Sequence, residues 1–286
     1  MEEIREALAR AKAREFDTSG HGQQTGHGQQ AGHGQQKRPI PASPEFKPTL
    51  LPKIEARNQC WALNAAQLAS NRIIAYEHGE PHTTSFDMLR TQVLQSMDAK
   101  EWRFLGITSP TSNCGKTVTA VNLALSIGRQ PERSVLLLDL DLRKPHVAKC
   151  LGLKPKNGVL SVLENRSPLS EALVEVGIGD CRTMVLPTET PTSRSSDRMA
   201  SRAMSEMLQQ IKQEFESQII IVDLPPLLTS DDVLAVLPKL DCVVLVTAVG
   251  ITTPAEINES TKHLLSTEVV RLVVNKVQPS KSKYYY

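Results

Sequence analysis

The chain has 286 residues, 33 basic against 31 acidic, a balance with no global field for nucleic acid or an acidic substrate and a length that suits one sizeable core plus a tail. Cys60, Cys114, Cys150, Cys181 and Cys242 form no C-x-x-C pair, which fits a reducing compartment better than a disulfide framework or a zinc site. No run approaches the roughly 20 apolar residues that cross a membrane, and the opening MEEIREALARAKAREF is too charged for a secretory signal, so a cytoplasmic protein is expected.

Residues 1–16 are compatible with a short helix, since Ile4, Ala7, Leu8 and Ala11 share a face and acidic residues fill the first turn. Residues 17–59 read as a disordered linker: three GHGQQ units between Gly20 and Lys37, then the proline-rich KRPIPASPEFKPTLLPK. His21, His27 and His33 are evenly spaced in that repeat, which points to repeat expansion rather than to metal ligands. An ordered domain is expected over 60–280, followed by a tyrosine-rich tail over 281–286.

Within that domain apolar runs alternate with helical stretches. The expected strands are RFLGITS (103–109), SVLLLDLD (134–141), TMVLPT (183–188), QIIIVDLP (218–225), CVVLVTA (242–248) and RLVVNKV (271–277). Continuous rather than alternating apolar runs are the mark of strands covered on both faces. The fold class is therefore α/β, a mostly parallel sheet flanked by helices.

TSPTSNCGKTVT, at 108–119, joins the first strand to the helical stretch KTVTAVNLALSIG. That is the setting of a phosphate-binding loop, although Pro110 stands at the position of its first glycine. Ser109, Pro110, Thr111, Ser112, Asn113, Cys114 and Gly115 would wrap the phosphates, Lys116 would supply a cation and Thr117 a hydroxyl for Mg²⁺. Asp139 and Asp141 end one apolar strand and Asp223 ends another, where open α/β sheets bind ligands. One such aspartate alone is a turn or cap residue; three beside Gly-Lys-Thr point to an Mg-nucleotide site.

Together, SPTSNCGKT, LLLDLDLRKP, IIIVDLPPLLTSDD and the closing SKYYY resemble the bacterial tyrosine kinases, P-loop autokinases of capsule and exopolysaccharide synthesis, over about residues 60 to 286. LRTQVLQ and VNLALSI look like the same group. The resemblance implies a P-loop NTPase-type fold and ATP-dependent phosphorylation of Tyr284, Tyr285 and Tyr286 between subunits of a homo-oligomer. It also implies a separate transmembrane polysaccharide co-polymerase-type activator that holds the protein at the inner face of the membrane. By analogy Lys116 and Asp139 are catalytic, Asp139 as the base for the phenol, while Thr117, Asp141 and Asp223 hold the metal. Arg143 is placed with the nucleotide-binding residues, a surface salt bridge being its plainer assignment.

The sequence departs from the family where Asn113 replaces a common glycine; asparagine tolerates positive φ, so the loop is expected to keep its shape. Thr84 and Asp87 stand where the family usually shows Glu and Arg that join subunits, whereas Arg90 is kept. Cys114 lies beside Lys116 at a helix start, conditions that favour a thiolate and raise the possibility of oxidative control; an incidental small residue is the plainer reading. Asn275 and Lys276 are weak candidates for base contact, and His78, His82, His146 and His263 have no nucleophile or metal spacing. Two other functions fit parts of the pattern: a partition- or positioning-type ATPase, which usually carries a second lysine early in the loop, and a non-catalytic ATP-binding adaptor of a membrane polysaccharide protein.

Overall fold

The protein is described here by a computed structural model covering residues 60–77, 79, 83–215, 218–265 and 267–277. The expected N-terminal helix, the whole linker with its repeat and three histidines, His78, His82 and the tail tyrosines lie outside those residues. All the described residues belong to the second of the two units into which the chain divides, Thr49–Tyr286.

Eight strands form one sheet: β1 Trp61–Ala62, β2 Phe104–Thr108, β3 Val135–Asp139, β4 Val174–Ile178, β5 Cys181–Leu186, β6 Ile219–Asp223, β7 Cys242–Ala248 and β8 Glu268–Asn275, in the order β1-β4-β5-β3-β6-β2-β7-β8. Every pairing is parallel except β4 with β5. The helices are α1 Ala65–Ser70, α2 Thr84–Ala99, α3 Lys116–Gly128, α4 Val147–Leu151, α5 Val159–Leu163, α6 Leu169–Ala172, α7 Ser195–Met199, α8 Arg202–Glu214 and α9 Pro254–His263.

The central strands are buried at every position and apolar up to their polar carboxyl ends, because each face meets its own core. Val135, Leu137, Ile219, Ile221, Leu105 and Ile107 pack on the side of α3, whereas Leu136, Leu138, Ile220, Val222 and Phe104 pack with α5 and α8. Helix α8 buries Met204, Met207, Leu208 and Ile211, the i, i+3, i+4, i+7 stripe of a surface helix, and starts on Ser201, whose side chain accepts from Met204 N–H. Helix α9 begins with Pro254 behind a Thr253–Glu256 capping box. In α3, by contrast, only Lys116, Val118 and Gly128 escape burial. Its Asn122 is fully satisfied: the side-chain oxygen accepts from Ile74 and Ala75 N–H at 2.8 and 3.0 Å, and the amide donates to Arg72 and Val118 carbonyls.

The expected strands are found within a few residues of their sequence bounds, but two more are present. TMVLPT is the second half of a β4–β5 hairpin that turns at Gly179–Asp180, and the two-residue β1 pairs with β4 through Trp61↔Val176. Among the described residues no helix is long and apolar enough to cross a membrane.

Candidate functional site: a phosphate loop facing three aspartates

The sheet order sets β3, β6 and β2 side by side, so the carboxyl ends of β3 and β6 flank the loop that leaves β2. That loop is pinned by its neighbour: Leu227 and Leu228 N–H donate to the carbonyls of Ser109 and Pro110 at 2.8 and 3.0 Å, and Thr108 Oγ1 donates to Pro225 O at 2.7 Å. Two residues give the loop its turn, Asn113 at φ 66° and Gly115 at φ 94°. The φ of 94° favours glycine at 115, and a Cβ there would lie 2.2 Å from Asn275 Nδ2, displacing that side chain. Asn113 occupies the left-handed region as expected. Asn113→Gly should change unfolding stability by no more than about 1 kcal/mol, whereas the β-branched Asn113→Val should cost about 2 kcal/mol, an order that urea midpoints would check.

Helix α3 starts directly on Lys116, and its N-cap Gly115 makes no side-chain cap. The first-turn N–H groups of a helix have no partner within it, and with the helix dipole they favour an anion. Lys116 Nζ lies 2.7 Å from Asp141 Oδ2 and 3.7 Å from Asp223 Oδ1. Burial works against the ammonium, but Asp223 and Asp141, with Asp139 behind them, hold its pKa above the usual lysine value. Thr117 Oγ1 donates to Asp223 Oδ2 at 2.7 Å.

Asp139 and Asp223 are register partners across β3 and β6, and both are fully buried. Burial, then the facing Asp223 carboxylate, pushes Asp139 up to about 8, with Val147 N–H and Lys116 pulling the other way. Burial likewise raises Asp223 to about 6 against the pull of Lys116 and Thr117. Both Asp139 oxygens accept backbone N–H groups: Oδ1 from Asp141 at 3.2 Å, Oδ2 from His146 at 3.1 Å and Val147 at 3.0 Å. The carboxylate expected as the base thus caps the start of α4. Asp141 retains slight exposure at 4%, holds Lys116 with Oδ2 and accepts Lys144 N–H with Oδ1 at 3.0 Å.

Asp223 Oδ1 is buried without a hydrogen-bond partner. A buried carboxylate oxygen beside the Thr117 hydroxyl, with only the Lys116 ammonium facing it at 3.7 Å, suits a hard divalent cation. Among the described residues no three His, Cys, Asp or Glu side chains are grouped to hold a metal by themselves. An Mg²⁺ at Thr117 and Asp223 would therefore complete its shell with phosphate oxygens and water, its usual habit.

Other candidates fall elsewhere. Arg143 makes no hydrogen bond to the loop; its guanidinium donates to Asp232 and to the hydroxyls of Ser195 and Ser196. The salt bridge is thus its observed role, and Asp232, Ser195 and Ser196 carried no signal beyond the aspartate pair in TSDD. Asn275 donates to Cys114 O at 2.9 Å, bracing the loop from β8. The Cys114 thiol is buried, 3.4 Å from Thr252 Oγ1, which corrects the oxidation reading because a shielded thiol is inert. Asp87 accepts from Arg129, from Arg90 at 3.1 Å and from Ser126 at 3.0 Å, while Arg90 also donates to Ser126 O. Those side chains stitch α2 to α3 within one chain.

Comparison with known proteins agrees with the fold. The family described as "ParA: NUBPL iron-transfer P-loop NTPase" matches residues 102–269. The putative tyrosine-protein kinase EpsB of Ralstonia nicotianae is 26% identical over 212 residues, 72% of this chain but only 27% of that protein, so the chain spans about a quarter of that relative's length. The putative tyrosine-protein kinase CapB of Staphylococcus aureus is 26% identical over 219 residues, 74% of this chain and 92% of CapB. Among solved structures, the chimerical protein CapA2B2 superposes with a TM-score of 0.66 at 22% identity, covering 77% of this chain and 94% of that one, a likeness of fold. With its lysine-bearing loop at the end of β2 and its aspartates at the ends of β3 and β6, the chain belongs to the ParA-type P-loop NTPases.

Proposed function

We propose that the chain is an ATP-dependent protein-tyrosine kinase of capsule or exopolysaccharide synthesis, with Tyr284, Tyr285 and Tyr286 as its own acceptors. The observation that carries this reading is the convergence of Lys116, Thr117, Asp141 and Asp223 at one phosphate loop. The tyrosine-kinase names of the relatives and the terminal YYY direct it towards a phenol rather than water. The iron-transfer description attached to the family has little support in the cysteines: Cys114, Cys150, Cys181 and Cys242 are all buried, and iron–sulfur clusters need grouped thiolates.

ATP would lay its phosphates on the start of α3, with Ser109 to Thr117 around them. Mg²⁺, held through Thr117 and Asp223, would neutralise phosphate charge. A phosphate arriving at the loop competes with Asp141 for Lys116, and a released Asp141 edge is then free to orient a phenol and accept its proton. We assign that role to Asp141, and to Asp139 the ordering of the β3 exit. A membrane polysaccharide protein as activator, a peripheral membrane location and trans phosphorylation within a homo-oligomer complete the proposal.

The test is phosphotyrosine mass spectrometry on the full chain with Mg-ATP, alone and in membranes of its native host. Phosphate on 284–286, lost when all three tyrosines become phenylalanine while nucleotide binding persists, is the expected result. ATP turnover with unmodified tyrosines in both settings would replace the kinase reading with that of a positioning-type ATPase. Binding with neither turnover nor labelling would leave an adaptor.

A further inference from the structure

Arg143 follows Asp141 on the loop leaving β3, and Asp232 follows Asp223 on the segment leaving β6. The guanidinium grips Asp232 with two prongs, Nε to Oδ2 at 3.0 Å and Nη2 to Oδ1 at 3.4 Å. Around them Ser195 Oγ accepts from Arg143 Nε at 2.6 Å, and Ser196 Oγ accepts from Nη2 at 3.2 Å. The Ser196 hydroxyl also reaches Asp232 and, at 2.8 Å, Asp231. The Asp232 side chain is 1% exposed and that of Arg143 is 47% exposed. A buried carboxylate whose oxygens are both taken by a two-pronged guanidinium and serine hydroxyls holds that guanidinium in one orientation.

We propose that Arg143 and Asp232 form a clamp that fixes the segment leaving β6 against the loop leaving β3 and so holds Asp223 in place for divalent-metal binding, with Arg143 a positioning residue and not a nucleotide ligand. This rests on the nucleotide reading of the loop. Inside the sheet the two segments are tied by backbone, Leu140 N–H to Asp223 O at 2.8 Å. Past that point Thr192 N–H to Leu142 O, at 2.8 Å, joins the β3 exit to the segment leading to α7. The clamp links all three, the β3 exit, the β6 exit and the start of α7. Mg²⁺ demands near-octahedral geometry, so a small loss of register falls first on the metal. A planar two-pronged guanidinium fixes that register in a way an ammonium cannot.

The experiment measures binding of a fluorescent ADP analogue as Mg²⁺ is titrated, and again in EDTA, for wild type, Arg143→Ala, Asp232→Asn, the double variant and Arg143→Lys. Each single loss should raise the Mg²⁺ needed for half-saturation about 10-fold, as outer-shell changes at metal sites do. The double variant should be no worse than the singles, Arg143→Lys should fall between, and affinity in EDTA should not change. Equal weakening in EDTA would make Arg143 a nucleotide ligand, and additive single effects would dissolve the clamp; either overturns it. Wild-type protein that binds no nucleotide at all would overturn the clamp together with the reading beneath it.

Discussion

Lys116→Met is expected to lower phosphate transfer by about 100-fold or more, the scale seen in rate when one preorganised charge-stabilising donor is lost, and to weaken Mg-nucleotide binding. Lys116 is the cation of the loop and sits within 3.7 Å of two of the three aspartates. Methionine keeps an unbranched side chain one atom shorter and removes the charge, so the loop's shape should survive. Without the ammonium, Asp141 and Asp223 confront an incoming polyphosphate directly. The same change should lower the stability of the nucleotide-free protein, because removing one partner of a buried pair leaves its carboxylates uncompensated. About 3–5 kcal/mol is the upper range for such a loss, and proton uptake by the aspartates would reduce it. Calorimetric titration with Mg-ADP and a urea melt of each protein measure the two effects. A methionine variant that bound nucleotide as tightly as wild type would remove Lys116 from the site.

The parts of this fold that could be read in advance are those in which local pattern and tertiary environment agree. Strands β2, β3, β6 and β7 are continuous apolar runs up to their polar carboxyl ends because two cores cover them, and such runs stand out in any sequence. VEVGI did not stand out: it is half-buried, interrupted by Gly177, and paired antiparallel near the edge. Its signal was the two-residue Gly179–Asp180 turn before Cys181. Two-residue β1 has no pattern of its own and exists only through β4. The loop and its aspartates were legible because each motif follows a strand, but their division of labour was not. Asp139 is committed to the N–H groups that open α4, and Arg143 finds its carboxylate 89 residues away. No spacing rule encodes a contact of that range.

Nucleotide-free protein should lose stability as pH rises from about 5 to about 8, the window between the reference aspartate pKa near 3.9 and the raised native values. Those values are about 8 for Asp139 and about 6 for Asp223. A carboxyl whose native pKa is raised binds its proton more tightly folded than unfolded, so its contribution is fully present below about pH 4 and fades as pH climbs through the native pKa. The slope is about 1.4 kcal/mol per pH unit for each group while only the native form remains protonated. Thermal melts at about pH 5.5, 7 and 8.5 should therefore fall steadily. Asp139→Asn should flatten the decline, since its carboxamide does not ionise yet its oxygen can still accept from His146 and Val147 N–H. Saturating Mg-ADP should flatten it too, because a cation beside Asp223 draws both pKa values down and releases protons on binding. Equal slopes for wild type and Asp139→Asn would mean that Asp139 is already ionised in the folded protein, with its three backbone donors and Lys116 outweighing burial and Asp223. Nucleotide would then enter a site whose negative charge is fully developed, and its binding would release no proton from Asp139.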